Sequence, residues 1–202
     1  PTLHAPFSPT ERVLIQATGT MCGMRDADDQ VAFPLHIRRF LPADAAAVWA
    51  LHNLALTHVG AHPGNGPWDD DLHAIEVVYL DSNGEFLIGE CDGQIVAMGA
   101  LLRLTARRAE IKRMRVHPAY QRRGFGRALL RRLESCAANL GYTELELATT
   151  VQQAAAQGLY QAEGYTETRR FLVGSFTCIA FQKQLALPPE VRHADDEPLP
   201  AS

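Results

Sequence analysis

Long apolar runs and paired cysteines are both missing from this chain of 202 residues. No stretch approaches the roughly 20 consecutive apolar residues that a helix needs to span a bilayer. The first residues, from Pro1 to Pro6, also lack the basic and then apolar pattern of a secretory signal. We therefore expect a cytoplasmic protein without membrane contact.

Metal-binding spacings are missing as well. The four cysteines stand far apart, so neither a zinc site nor a disulfide framework is indicated: Cys22, Cys91, Cys136 and Cys178. His58 and His62 are four residues apart, but Gly60 and Pro63 argue against the helix that would place both on one face. We expect buried free thiols and no metal.

Basic residues are scarce outside one segment. Residues 107–132 contain ten Lys and Arg against a single acid, Glu110, although the whole chain has a net charge of -4. A nucleic acid could use such a patch, but the acidic remainder and the lack of interleaved aromatic residues count against it. We expect no nucleic-acid partner. For Arg131 and Arg132 an exposed helix face is the simpler interpretation.

A glycine turn lies within this basic segment, in Gln121-Arg-Arg-Gly-Phe-Gly126, between a strand-like run and an amphipathic helix. Its two glycines allow a tight bend and a close backbone approach. The first N–H groups of the following helix have no intrahelical partners and lie at the positive end of the helix dipole. The turn therefore predicts a phosphate site.

Two common nucleotide motifs do not fit this turn. A dinucleotide fingerprint needs a third glycine, and Leu129 stands at that position. A nucleoside-triphosphate loop needs Gly-Lys-Ser/Thr, whereas Gly126 is followed by Arg127 and Ala128. Another phosphate-containing ligand is indicated.

Hydrophobic periodicity predicts one α/β domain with a mixed, mostly antiparallel sheet of six to seven strands flanked by about four helices. Asp92-Gly93 is a two-residue hairpin signal. A helix crosses between residues 109–116 and 143–148, so those two strands should be parallel. Strands are expected at 35–40, 85–91, 94–104, 109–116, 143–148, 165–170 and 175–184, and helices from about 42, at 69–79, after Gly124 and at 152–163.

The apolar pattern changes parity within one predicted strand. Its apolar side chains fall at Ile111 and then at Met114 and Val116, so they alternate correctly only if one extra residue is inserted. A β-bulge would restore a common core face. We expect such a bulge between Ile111 and Met114.

Two landmarks together resemble the GNAT family of N-acetyltransferases. The turn Gln121–Gly126 follows Val116-His-Pro118, and a later helix carries Tyr160 just before Gly164-Tyr165. The resemblance covers residues 35–184 and implies the GNAT fold. Residues 1–34 would be an N-terminal extension and residues 185–202 a disordered tail. Either segment could cap the domain or contact a partner subunit in a homodimer.

The resemblance implies acetyl-CoA as the acyl donor. The turn would hold the pyrophosphate, and main-chain atoms of the preceding strand would bind the pantetheine arm. Gln153 stands where many members have an asparagine and keeps an amide for the same arm. The implied cofactor-binding residues are Met114, Arg115, Val116, Gln121, Arg122, Arg123, Gly124, Phe125, Gly126, Arg127 and Gln153.

The resemblance also implies two catalytic residues. Glu110 matches the position of the base in histone-type members, and Tyr160 matches the tyrosine that approaches the coenzyme A sulfur. Each has a structural alternative: Glu110 could pair with Arg108 or Arg113, and Tyr160 could be a core residue. A glutamate that many members carry at the end of the fifth strand is replaced by Ala148.

The implied activity is acetyl transfer to a primary amine of a small molecule or peptide, by direct attack in a ternary complex. The acceptor would bind residues 52–79, where Trp68 and the run Asp69–Asp71 would suit a cationic amine. The same acids would also make a good first helical turn. The alternative function is a catalytically silent acyl-CoA sensor or interaction module on the same fold.

Overall fold

Seven strands form one mixed sheet in residues 34–186, the part of the chain that this computed structural model describes. Their order across the sheet is β1-β2-β3-β4-β5-β7-β6, and only the β4–β5 pair is parallel. The predicted fold class is confirmed. The strands are β1 (His36–Arg39), β2 (Glu85–Cys91), β3 (Gln94–Arg103), β4 (Arg108–Val116), β5 (Glu144–Thr150), β6 (Thr166–Val173) and β7 (Phe176–Gln184).

Four α-helices cover the sheet within the same described range: α1 (Ala45–His58), α2 (Asp70–His73), α3 (Phe125–Asn139) and α4 (Ala154–Ala162). The helix expected over 69–79 is wrong as a continuous element. It is divided at Ala74, whose backbone leaves the helical region (φ −135°), and a π-helical turn follows at Glu76–Leu80. The division still buries Leu72, Ile75 and Tyr79 against the sheet.

The predicted hairpin between β2 and β3 is confirmed. Asp92 and Gly93 both have positive φ (52° and 72°), as a two-residue turn of the primed type requires. Cys91 pairs with Gln94 directly across it. Short connections of this kind fix the register of the first antiparallel strands.

The core lies on both faces of the sheet. On one face α3 presents a buried stripe that packs on Leu101, Ile111 and Leu145: Leu129, Leu130, Leu133 and Ala137. On the other face α1 and the π-helical turn pack on Phe86, Ile88 and Met98. Each fully buried leucine stabilises the fold by about 1.5–3 kcal/mol relative to exposure, so both faces are firmly held.

The bulge expected in β4 is confirmed. Ala100 pairs with Lys112 and Met98 pairs with Arg115, so β4 has one more residue than β3 between these pairs. Arg113 takes the left-handed conformation (φ 56°) that accommodates the extra residue. After it, Met114 returns to the core face of Ile111.

Strands β4 and β5 stay together over only four residue pairs, from Arg108↔Glu144 to Ile111↔Leu147. Beyond that point β5 continues with β7, as Ala148↔Ala180 and Thr150↔Cys178 show, while β4 continues with β3. The two strands therefore part, and a slot opens in the middle of the sheet.

Several sequence expectations concern the ends of the chain. The extension over 1–34 and the tail over 185–202 lie outside the described residues apart from positions 34, 185 and 186, and Cys22 lies there too. Within residues 34–186 no helix has both the length and the hydropathy of a membrane span. Cys91 and Cys178 are buried free thiols, as expected, and Cys136 is a partly buried one.

Gly84 is a point where the fold tolerates no side chain. A Cβ there would lie 2.2 Å from the Leu101 carbonyl oxygen and 2.8 Å from that of Tyr79, and backbone atoms cannot rotate away. We expect Gly84→Ala to lower the free energy of unfolding by about 2–3 kcal/mol in urea titrations. The matched control is Gly158→Ala in α4, where a Cβ meets nothing within 4 Å.

That control should raise the free energy of unfolding by about 0.5–1 kcal/mol, because alanine favours a helix more than glycine does. Equal stability of the two variants would contradict the described packing of Gly84.

Candidate active site

A cavity of about 560 Å³ occupies the place where β4 and β5 part. Its walls come from residues 110–115 of β4, residues 148–150 of β5, and Gln153 and Tyr160 around α4. The β6–β7 turn and the segment after α1, including Trp68, complete it. Five of the residues predicted from the sequence therefore line one cavity: Glu110, Met114, Arg115, Gln153 and Tyr160.

The slot-facing edge of β4 offers main-chain groups. Arg115 pairs with Met98, and the His117 N–H donates to the Val96 carbonyl, so Val116 between them directs its N–H and C=O away from β3. The Met114 carbonyl accepts from Arg115 Nη1 at 2.8 Å, and the Val116 carbonyl accepts from Gln121 Nε2 at 3.2 Å. An amide-bearing ligand could pair with this edge as a strand would.

The glycine turn adjoins the end of β4. Arg122 and Gly124 both have positive φ (63° and 81°), and α3 begins immediately afterwards at Phe125. The first α3 amide bonded within the helix is that of Ala128, to the Gly124 carbonyl, and no side chain caps the helix. The N–H groups of the three residues before it are thus free for an anion: Phe125, Gly126 and Arg127.

The basic side chains of the turn differ in what they contact. Arg122 and Arg123 are exposed and have no ion-pair partner in residues 34–186. The Arg123 guanidinium lies 5.1 Å from the centre of the Tyr120 ring. Arg127 instead pairs with Glu163 at 2.8 Å, so its side chain points toward α4. The cations available to a phosphate are those of Arg122 and Arg123.

Glu110 lies where the two strands separate, paired in register with Glu146 of β5. Burial raises the pKa of its carboxyl, Lys112 opposes this shift, and the charge of Glu146 adds to it. Glu110 makes no ion pair within the described part of the chain, so the expected alternative of pairing with Arg108 or Arg113 is not observed. A carboxyl with a raised pKa is a stronger proton acceptor than an ordinary carboxyl.

Tyr160 is 5% exposed and reaches the cavity from α4. Its ring packs edge-on against Tyr165 and near Phe181, so its position is fixed by core contacts. Burial raises the pKa of its hydroxyl to about 12, with a small opposing effect of Arg115. Its phenol is therefore protonated at neutral pH and able to donate.

Gln153 precedes α4 and has half of its amide already engaged. Its Oε1 accepts from Thr149 Oγ1 at 3.0 Å and from the Thr150 N–H at 3.3 Å. These contacts tie the start of α4 to the end of β5. The side-chain nitrogen is the part of Gln153 that a ligand in the cavity could use.

A buried polar network beside the cavity was missed by the sequence analysis. Arg113 Nη1 lies 3.1 Å from Asp69 Oδ1, and Arg113 Nε donates to Asp71 Oδ2 at 2.9 Å. Asp71 also accepts from the Tyr79 hydroxyl, and the Arg113 side chain donates to the Trp68 carbonyl. The run Asp69–Asp71 is therefore not an open acidic rim for a cationic amine, because Arg113 neutralises two of its three acids.

His52 completes this network from α1. It is 1% exposed, and its Nε2 lies 3.2 Å from Asp69 Oδ1. Burial, with the nearby charges of Arg115 and Arg113, lowers the pKa of His52 to about 4. The imidazole is neutral at pH 7, and its Nε2 faces a carboxylate, which can only accept. One feature of the sequence pointed to this network. The parity change of the apolar residues in β4 places Arg113 at the position where the inward and outward alternation of side chains is interrupted.

Because the pKa of His52 is lowered in the folded state, the free energy of unfolding depends on pH. The unfolded imidazole gains a proton near its ordinary pKa of 6.5 and the folded one only near 4, so the unfolded state binds more protons in that window. The contribution of His52 to the free energy of unfolding is thus complete above pH 6.5, and it decreases as the pH drops toward 4. We expect the fall to be shallower in His52→Gln, which keeps a neutral N–H donor, when urea unfolding is followed at pH 7.5, 6, 5 and 4.5. Parallel curves for the two proteins would show that His52 does not titrate in this way.

Comparison with known proteins places this site in a family context. A family model described as "Acetyltransferase (GNAT) family" matches residues 47–165, which include the slot, the glycine turn and Tyr160. N-acetyltransferase family 8 member 2 of Rattus norvegicus is 31% identical over 108 residues, covering 51% of this chain and 48% of that protein. The IAA acetyltransferase of Azospirillum brasilense is 34% identical over 87 residues, covering 43% of this chain and 57% of that protein.

The similarity in structure is more extensive than the similarity in sequence. The chain spans about half the length of the curated relatives it matches. The structure of yncA from Salmonella typhimurium, solved with its cofactor acetyl-CoA, has a TM-score of 0.64 and 25% identity, covering 79% of this chain and 96% of that one. The fold is thus shared with a protein whose structure was solved with acetyl-CoA.

Proposed function

This chain belongs to the GNAT acetyltransferase family, and from that membership we propose that it transfers an acetyl group from acetyl-CoA to a primary amine of a small molecule or peptide. The transfer is direct, with both substrates bound at once. Relatives named as N-acetyltransferases support nitrogen as the acceptor atom.

One observation carries the proposal: a slot with an open main-chain edge leads straight to a helix N-terminus. Coenzyme A combines an amide-bearing arm with a pyrophosphate, and the two parts match these two features in order. The edge at Met114 and Val116 pairs with the arm, while the open amides of Phe125, Gly126 and Arg127 hold the pyrophosphate. Arg122 and Arg123 supply charge to the remaining phosphate.

The protein's own groups supply the proton transfers. When bound, acetyl-CoA supplies a thioester carbonyl to the slot. Glu110 accepts the proton that the acceptor ammonium loses, and its raised pKa suits that role. A main-chain N–H of Met114 or Val116 donates to the carbonyl oxygen as charge develops there. The Tyr160 hydroxyl donates a proton to the departing sulfur.

A second candidate is a catalytically silent acyl-CoA sensor or interaction module. Ala148 favours it, because the fifth strand then ends without a carboxylate and Glu110 is the one candidate base in β4. The cofactor features serve both candidates equally. The two functions differ only in whether the thioester is consumed.

Thioester consumption with a panel of primary amines tests the proposal. We expect turnover with at least one amine, and a loss of about 10²-fold or more in kcat/KM in Glu110→Gln, because a positioned base contributes about that much. Tyr160→Phe should lower kcat while leaving coenzyme A affinity unchanged. Glu144→Gln is the matched control, since it removes a carboxylate of β5 that neither lines the cavity nor contributes to the raised pKa of Glu110. Tight coenzyme A binding without turnover of any amine would establish the sensor instead.

Coenzyme A affinity tests the assignment of the basic turn. We expect the double variant Arg122→Gln, Arg123→Gln to bind coenzyme A about tenfold or more weakly in calorimetry, with a shallower dependence on salt. Arg132→Gln is the control, because it removes a charge from an exposed position of α3 outside the turn. An equal loss in the control would mean that general charge rather than the turn governs binding.

A further inference from the structure

Arg115 is a cation beside the cavity that forms no ion pair within residues 34–186. Its Nη1 donates to the Met114 carbonyl at 2.8 Å, and its Nε is enclosed with no hydrogen-bond partner in residues 34–186. No carboxylate of the described chain forms an ion pair with it, because Asp69 and Asp71 are both held by Arg113. Arg115 nevertheless lines the cavity.

The environment of Arg115 destabilises the charged form of its guanidinium. Burial, and then the neighbouring Arg113, lower its pKa to about 10, so it is still a cation at pH 7 but a destabilised one. The side chain is partly buried with its Nε enclosed, and within residues 34–186 the charges of Asp69 and Asp71 offset this desolvation only in part. An anionic group that enters the cavity would supply the carboxylate pair that these residues do not form with Arg115.

The position of Arg115 separates it from the cofactor features. Met114 and Val116 pack on the α3 face of the sheet, whereas Arg115 pairs with Met98, whose side chain belongs to the α1 face. Arg115 also contributes to the lowered pKa of His52 on α1. Its charge therefore acts on the α1 side of the slot, opposite the glycine turn, and also on Tyr160 of α4.

An apolar wall lies on the same side of the cavity. Leu56, Ala61, Pro63 and Trp68 all line it. Trp68 is 57% exposed, and its indole Nε1 donates to the Gly64 carbonyl at 3.0 Å, so the ring is oriented while still open to contact. A ligand in this part of the cavity meets one positive charge and an apolar surface.

We propose that the acceptor is an amino acid or a closely similar compound, whose carboxylate binds Arg115 and whose apolar side group packs on the wall around Trp68. This inference rests on the proposed function and deepens it. A planar guanidinium suits a carboxylate, and the Arg115 donors not used by Met114 are available for it. Polyamines and other purely cationic amines are disfavoured by the same charge.

Matched acceptors test the proposal. L-Phenylalanine, L-leucine and L-methionine are each compared with their amides and with the amines that lack the carboxyl group. We expect wild-type KM values about 10- to 100-fold lower for at least one carboxylate than for its neutral relatives. Binding of the same compounds to the protein saturated with coenzyme A is measured in parallel by calorimetry, so the carboxylate preference is tested even without turnover.

Variants of Arg115 assign the preference to its side chain. Arg115→Gln should remove the difference between each carboxylate and its neutral relatives, and Arg115→Lys should restore part of it. Arg132→Gln is the control and should behave as the wild type. Because Arg115 has no carboxylate partner, we expect the melting temperature of Arg115→Gln to be unchanged or raised, which distinguishes lost recognition from lost folding.

Different failures have different meanings. Equal affinity for every carboxylate and its neutral relatives would overturn the amino acid assignment while leaving acetyl transfer intact. A rise in the KM of acetyl-CoA alone in Arg115→Gln would overturn it too, because the guanidinium would then serve the cofactor. Carboxylate binding without any acetylation would instead contradict the proposed function and leave the assignment of Arg115 standing.

Discussion

One additional residue in β4 determines the direction of every side chain that follows it. Because Arg113 adopts positive φ, Met114 and Val116 return to the core of α3, and Arg115 turns to the opposite face. Without the bulge the two arginines and the two apolar residues would exchange faces, and two cations would enter the core. The slot, the open strand edge and the cation beside the cavity all depend on that one backbone conformation.

The electrostatics of the region follow from the same constraint. The bulge directs Arg113 toward the segment after α1, where Asp69 and Asp71 bind it, while His52 lies beside Asp69 and the Tyr79 hydroxyl donates to Asp71. This network connects α1, the π-helical turn and β4 across the wall of the cavity. Arg113 binds both Asp69 and Asp71, and this is why the polarity of the wall depends on Arg115 more than on an acidic run.

Much of the fold was predictable because local signals agreed with one another. The Asp92-Gly93 hairpin, the amphipathic α3 and the parity change at Met114 each indicated what the backbone does. The division of the helix at Ala74 was not predictable, since neither glycine nor proline marks it in residues 70–80. Hydrophobic periodicity in the sequence could assign Glu110 to a strand and Tyr160 to a helix. Only the tertiary structure shows that both residues line one cavity.

The partners of charged side chains were the least predictable part, because several of the ion pairs join positions more than 40 residues apart, as in the pair of Arg113 with Asp69. The parting of β4 from β5 has one more consequence. It creates a sheet edge inside the molecule, where main-chain donors and acceptors are exposed to a small ligand but enclosed by α4 and the β6–β7 turn. An outer edge with the same groups would invite pairing between molecules and aggregation. Confinement lets the protein keep a strand edge for recognition while hiding it from other chains.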